Sequence, residues 1–212
     1  MAAILLSRAA ALALALLASP SLHAVTYYWD NNDSTVGFGT AGGTWAGTTT
    51  NNATQGWSTA VAGNATLSGT TTISNTADTT YFGTTDYGLG AGTITVSSTV
   101  NSTAIIFGST NGAVILNGGS ITVRGNIYTS ADNTSNMQTI NSNVSFIGNA
   151  DRTIGGGSAI ADRLTINGNI SGGGTGTYLY VSTENNLGTV TLNGTNSIAK
   201  ILVVQTGQLN VS

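Results

Sequence analysis

Between Gly188 and Val211 the chain alternates apolar and polar residues, and only glycine or Asn-Gly corners interrupt the alternation. Val190 and Leu192 alternate with Thr189, Thr191 and Asn193. The chain then bends at Asn193-Gly194, resumes with Leu202 and Val204, bends at Gly207 and closes on Leu209 and Val211. Apolar residues at every second position put one face inward and leave Thr, Asn and Gln outward. Gly, and to a lesser degree Asn, accepts the positive φ of a tight corner. The stretch therefore predicts three short strands joined by corners. Such a unit has an apolar face and nothing of its own to cover it, so another unit must stack on it.

The same cadence recurs upstream. Leu67, Ile73, Tyr81-Phe82, Ile94, Val96, Val100 and Ile105-Ile106-Phe107 fall in strand-like clusters between Gly- or Asn-bearing corners. Val114 to Leu116 is followed by Asn117-Gly118-Gly119 and Ile121 to Val123. Further strands centre on Ile127, Ile140, Val144 to Ile147, Leu164 to Ile166 and Leu179 to Val181. Strand starts every ~8–12 residues suit an all-β sandwich, a barrel or a solenoid. Asn117-Gly118 between two alternations is a hairpin signal and keeps an antiparallel sandwich open. Against it, Asn-Gly recurs at Asn111, Asn167 and Asn193 without an obvious partner strand. A parallel β-helix turns its corners with the same geometry.

The 188–211 stretch resembles the autotransporter-associated β-strand repeat found in large surface proteins of Gram-negative bacteria. The resemblance runs without a gap through Gly188, Thr189, Thr191, Leu192, Gly194, Asn196, Val204, Gly207, Leu209 and Val211, with Val190 a mild swap. Ile198 stands at the repeat's aromatic position, and Lys200 and Ile201 stand where it usually has glycines, so the middle corner departs from the pattern. Asn169 to Gly173, with Leu179 and Val181, resembles the lead-in to that repeat; Gly90 to Val96 and Ile106 to Ser109 look like upstream strands of the same family. The resemblance implies a right-handed parallel β-helix, with roughly four coils between Gly92 and Ser212. It also implies a place on the outer surface of a Gram-negative cell.

Composition narrows the partners. Only 6% of residues are charged and the net charge is -3. Disorder needs low hydrophobicity with high net charge, whereas 40% of this chain is hydrophobic. The basic residues are Arg8, Arg124, Arg152, Arg163 and Lys200, too few and too scattered for a phosphate-binding or polybasic membrane patch. No nucleic-acid partner is expected. There is no cysteine, so the fold must hold without the disulfides common in small secreted domains.

Residues 1–24 read as a signal peptide: Arg8, an Ala/Leu run from Ala9 to Ala18, Pro20 as helix breaker, and a small residue at Ala24. The run is shorter than the ~20 residues that span a bilayer. Cleavage after Ala24 would remove the only histidine, His23. Residues 25–65 gather Tyr27, Tyr28, Trp29, Phe38, Trp45 and Trp57. They are expected to form an aromatic N-terminal cap over the first coil, the alternative being a sugar-stacking platform. Residues 66–212 are assigned to β-helix repeats. The chain ends one residue past the repeat, which suggests a truncated array whose membrane attachment would come only through a C-terminal barrel or anchor outside this sequence.

Chemistry is thin. Asp30-Asn31-Asn32-Asp33 has the oxygen donors of a calcium loop but lacks the glycine and glutamate that complete the helix–loop–helix motif; an Asx turn is expected. Asp30, Asp33, Asp78, Asp86, Asp132, Asp151, Asp162 and Glu184 are widely spread. Asp151-Arg152 and Asp162-Arg163 come nearest to a constellation, and two aspartates brought together would make a carboxylate pair. Neighbouring residues on a strand point to opposite faces, so solvated corner charges are the expectation. Thr-x-Thr pairs at Thr48/Thr50, Thr70/Thr72, Thr93/Thr95, Thr175/Thr177 and Thr189/Thr191 are spaced too irregularly for a flat ice- or sugar-binding array. No catalytic, cofactor-binding or metal residue is expected. The reading is a non-enzymatic exported scaffold or adhesin-like segment whose partners are surface glycans or other cell-surface proteins. The alternative is a β-helix that binds or degrades polysaccharide.

Overall fold

The computed structural model describes residues 24–46, 56–67, 77–130, 136–156, 163–181, 188–198, 200–203 and 208–212. The expected leader, with Arg8, Pro20 and His23, lies outside them, as do Ile73, Asp132, Asp162, Glu184, Val204 and Gly207. Among the described residues every regular element is a strand. The first are β1 (Thr26–Asp30), β2 (Thr44–Trp45), β3 (Gly56–Ser58), β4 (Thr79–Phe82), β5 (Gly92–Ser102) and β6 (Ala104–Phe107). Next come β7 (Val114–Val123), β8 (Ile127–Thr129), β9 (Gln138–Ile140), β10 (Asn143–Phe146), β11 (Arg152–Gly155) and β12 (Arg163–Ile166). The last are β13 (Ile170–Gly172), β14 (Leu179–Val181), β15 (Thr189–Leu192), β16 (Ile201–Val203) and β17 (Gln208–Val211).

From β4 onward the chain passes back and forth between two sheets. One has the order β16-β14-β11-β8-β6-β4-β1-β3; the other runs β13-β10-β7-β9-β12-β15-β17, with β5 pairing β2 and β7. Each strand lies parallel to the strand one coil away, giving a β-solenoid of about four turns. The antiparallel sandwich that the Asn-Gly corners left open does not form. Asn117-Gly118-Gly119 lies inside β7, whose whole length pairs parallel with β5. Gly118 and Gly119 take positive φ (96° and 27°), and the register slips between Val96 and Thr99 opposite them. The dipeptide makes a corner within a continuing strand instead of reversing the chain. Among the described residues one pairing is antiparallel: β3 runs against β1 at the end of its sheet.

The period-two alternation sets the core. Ile94, Leu116, Ile140, Ile166 and Leu192 are in register on successive coils and fully buried. Opposite them, Ile105, Ile127, Ile154 and Val181 form a matching inward row. Each aliphatic packs on its equivalent one coil away, so burial is supplied by neighbours and not within one coil. The β1 end is aromatic. Trp57 meets Trp29, Trp45 and Phe82 at centroid distances of 4.9, 5.4 and 5.9 Å, all edge-on, and Phe107 stacks on Phe82 at 5.5 Å. β1 and β2 extend the two sheets in parallel, so these rings stand in the same column as the aliphatics.

Several inward positions are polar where alternation alone would assign apolar residues, Gln138, Thr80 and Ser102 among them. Gln138 is fully buried, donates from Nε2 to the Gly112 carbonyl (3.0 Å) and accepts from the Val114 amide (3.3 Å). Thr80 and Ser102 share a hydroxyl contact of 3.1 Å, and Ser102 donates to the Ala104 carbonyl at 2.7 Å. These three are tolerated because each finds a partner; the buried Thr129 and Ser142 hydroxyls have none.

Candidate functional site

Corners bring chemistry-bearing side chains into register, because each corner repeats on the coil above. At the corner shared by β7, β9/β10, β12/β13 and β15, the asparagines form an exposed ladder. Asn141 donates to Asn117 (3.2 Å), Asn167 to Asn141 (2.8 Å), Asn193 to Asn167 (2.7 Å), and Ser212 donates to Asn193 (2.9 Å). Coil lengths of 24, 26, 26 and 19 residues separate these partners. A second file uses asparagine oxygens to accept backbone amides: Asn143 from Asn169, and Asn169 from Thr195, both at 3.0 Å. The Asn-Gly corners that resembled turn signals therefore tie one coil to the next. Beside them runs an open groove of about 420 Å³, lined by Ser120, Asn143, Ser145, Asn169, Ser171 and Ser197 among others. Its lining side chains are neutral.

The other sheet carries a different file. Arg152, Leu179 and Ile201 are in register on β11, β14 and β16, and Ile154 is in register with Ile127 on β8. Continuing those registers by a few residues stacks Arg124, Asp151, Tyr178 and Lys200 on four successive coils. Contacts bear out its Asp151, Tyr178 and Lys200 members. The Asp151 carboxylate accepts the Tyr178 amide through Oδ1 (2.8 Å) and the Tyr180 hydroxyl through Oδ2 (3.3 Å). Lys200 Nζ lies 4.8 Å from the centre of the Tyr178 ring, and the Tyr178 and Tyr180 rings are 6.1 Å apart, tilted by 32°. The Arg152 guanidinium donates to the carbonyls of Asp151 (2.9 Å) and Ile147 (2.6 Å), while its buried Nε has no partner. Burial, then the neighbouring Arg124, lower the Arg152 pKa, and Asp151 partly offsets them.

Of the two couples expected to be solvated corner charges, Asp151 is exposed while Arg152 is buried; any meeting of the second couple with the first rests on Asp162, which lies outside the described residues. Arg152 opens β11 in one sheet and the exposed Arg163 opens β12 in the other. The Arg152 contacts run to backbone carbonyls, as strand geometry predicts for adjacent residues. Tyr178 and Tyr180 were missed by sequence reading; the signal present was their i, i+2 spacing, which puts both rings on one face. Trp45 and Trp57 are fully buried, so neither ring presents a face to a sugar. Of the Thr-x-Thr pairs, Thr48/Thr50 and Thr70/Thr72 lie outside the described residues; Thr93 and Thr95 are exposed, whereas Thr177 and Thr189 are buried, so among the described residues they form no continuous array. Asp30 accepts the Asn32 amide N–H at 2.9 Å, which is the expected Asx contact. With its amide turned to suit its surroundings, Asn32 donates to Asp30 Oδ1 (2.6 Å), the Gly37 carbonyl (2.9 Å) and the Thr35 carbonyl (3.2 Å). Among the described residues, no group of at least three His, Cys, Asp or Glu could hold a metal, and no helix is long and apolar enough to cross a membrane.

Compared with protein-family models, curated proteins and solved structures, the chain matches none.

Proposed function

We propose that this chain is a non-catalytic, exported scaffold: a rigid β-solenoid segment of a surface protein, similar to the autotransporter-associated β-strand repeat proteins. The observation that supports it best is the pair of asparagine files, which stitch successive coils outside an aliphatic column and leave amides and hydroxyls to the solvent. That surface suits a spacer, and its neutrality fits exposure outside a cell. Right-handed winding follows from the general preference of parallel crossover connections. The aromatic β1 end serves as the cap of the column, and residues 1–24 direct export across the inner membrane of a Gram-negative bacterium. Attachment to the outer membrane comes from a barrel or anchor elsewhere.

Two measurements test this reading. An alkaline phosphatase reporter fused after Ala24 is active in the periplasm if residues 1–24 direct export; retention in the cytoplasm refutes that part. Residues 25–212 release no reducing ends from a panel of polysaccharides. Turnover abolished by Asp151→Ala would replace the scaffold with a polysaccharide-degrading β-helix.

A further inference from the structure

The Tyr178 file departs from the rest of the surface. In a chain with 6% charged residues, an arginine, an aspartate, a tyrosine and a lysine occupy one position on successive coils. Tyr178 is 37% exposed, and Tyr180 stands on the same side two residues on. Their rings are tilted by 32° to one another, and the Asp151 carboxylate accepts from the Tyr180 hydroxyl and from the Tyr178 backbone amide. Exposed aromatic faces bind apolar C–H surfaces, and tyrosine adds a polar rim. The Lys200 ammonium lies over the Tyr178 ring, 4.8 Å from its centre. A cation over an exposed ring gains little from it, so little is lost when the ammonium turns to an anion.

A second observation points the same way. Arg152 is 7% exposed, and its Nε is buried without a partner. Arg152 and Tyr178 together line a recess of about 10 Å³, completed by Phe146, Gly173, Thr177 and Ile198. That space is too small for a ring and holds about one oxygen atom. The Arg152 side chain lies on the wall of this recess, and a charged donor prefers an anionic oxygen to a neutral one.

We propose that Tyr178, Tyr180, Arg152 and Lys200 form a binding site for an acidic saccharide, a uronate-type residue of a polysaccharide chain. The pyranose rests on the tyrosine pair. One carboxylate oxygen enters the recess toward Arg152, the other pairs with Lys200, and Asp151 fixes the platform while accepting from a sugar hydroxyl. Arg124, one coil before Asp151, extends the positive edge for the next residue of the chain. The site adds a ligand to a column that the scaffold reading leaves unliganded, and either can fail without the other.

The test is calorimetric titration of residues 25–212 with hexagalacturonate, with maltohexaose as the neutral comparison. Hexagalacturonate binds and maltohexaose does not, and affinity falls as salt screens the pairing. Tyr178→Ala and Lys200→Ala each weaken binding about tenfold, the scale of one stacking or one partly screened ionic contact. Arg152→Ala abolishes binding; because Arg152 also holds the corner, circular dichroism and the melting temperature establish that each variant folds. Tyr178 and Lys200 carry the test where Arg152→Ala does not fold. Absence of hexagalacturonate binding, equal binding of both sugars, or unchanged affinity in folded Tyr178→Ala and Lys200→Ala overturns the site. None of these results bears on export or on the solenoid.

Discussion

Asp30 offers the sharpest test of how the β1 end is built. Its side chain is fully buried, Oδ1 accepts the Asn32 amide, and Oδ2 has no partner. Burial pushes the carboxyl pKa up from 3.8 to about 6; the Asn32 N–H partly offsets this and nearby Asp33 adds to it. In the unfolded chain the proton leaves near 3.8, and in the folded protein it stays until about 6. The contribution of Asp30 to stability is therefore fully present below the unfolded value. It is lost as pH rises through the window up to the folded value, and stays lost above it. At ~1.4 kcal/mol per unit this amounts to ~3 kcal/mol. Asp30→Asn keeps the oxygen that accepts from Asn32 and cannot ionise. The stability of the variant relative to the parent then grows by ~3 kcal/mol between about pH 3.5 and pH 7, or ~6–12 °C in melting temperature for a chain of this size. Thermal unfolding of both proteins, followed by fluorescence of the buried tryptophans across that range, measures it. Melting temperatures that track each other at a constant offset across the window would show that Asp30 ionises freely, and the buried-carboxyl account would be wrong.

Gly168 and Gly176 separate crowding from backbone conformation. A Cβ on Gly168 would lie 1.9 Å from the Ser142 carbonyl oxygen on the coil below, whereas Gly176 (φ +98°) has nothing within 4 Å. Gly168→Ala should cost up to ~3 kcal/mol through overpacking and Gly176→Ala ~1 kcal/mol through its left-handed φ; chemical denaturation yielding equal losses would refute the stacked-corner geometry. Trp57→Ala should cost ~3–5 kcal/mol as a core truncation, read by urea unfolding, and leave hexagalacturonate affinity unchanged in the folded fraction. Asn167→Ala removes one donor and one acceptor from the exposed ladder and should cost only ~1 kcal/mol, with the urea midpoint as readout.

The solenoid itself was legible in the sequence because its determinants are local. Alternation at Val190/Leu192 or Ile94/Val96 fixes which side chains turn inward, and that choice is independent of what packs there. The closing repeat was read nearly to the residue in its first and last strands: β15 ends at Leu192 before Asn193-Gly194, and β17 takes in Leu209 and Val211. Lys200 and Ile201, in place of glycines, did not prevent the middle strand, which begins at Ile201. What the ladder corners do was not legible. Asn-Gly has the same local preference in a hairpin and in a solenoid corner, and only a parallel neighbour one coil away turns Asn141 and Asn167 into a file.

Sequence alone thus determined the strand faces, the weak charge and the need for stacked units, since composition and period-two spacing are properties of the chain itself. Register was decided by tertiary structure. Coils of 24, 26, 26 and 19 residues are unequal, so no fixed period relates Asp151 to Tyr178 and Tyr178 to Lys200. The corners absorb the differing lengths, because outward loops change length without disturbing the inward rows. That freedom lets Gln138 take an aliphatic position, buries Arg152, and sets Tyr178 and Tyr180 beside Lys200 where no motif in the chain joins them.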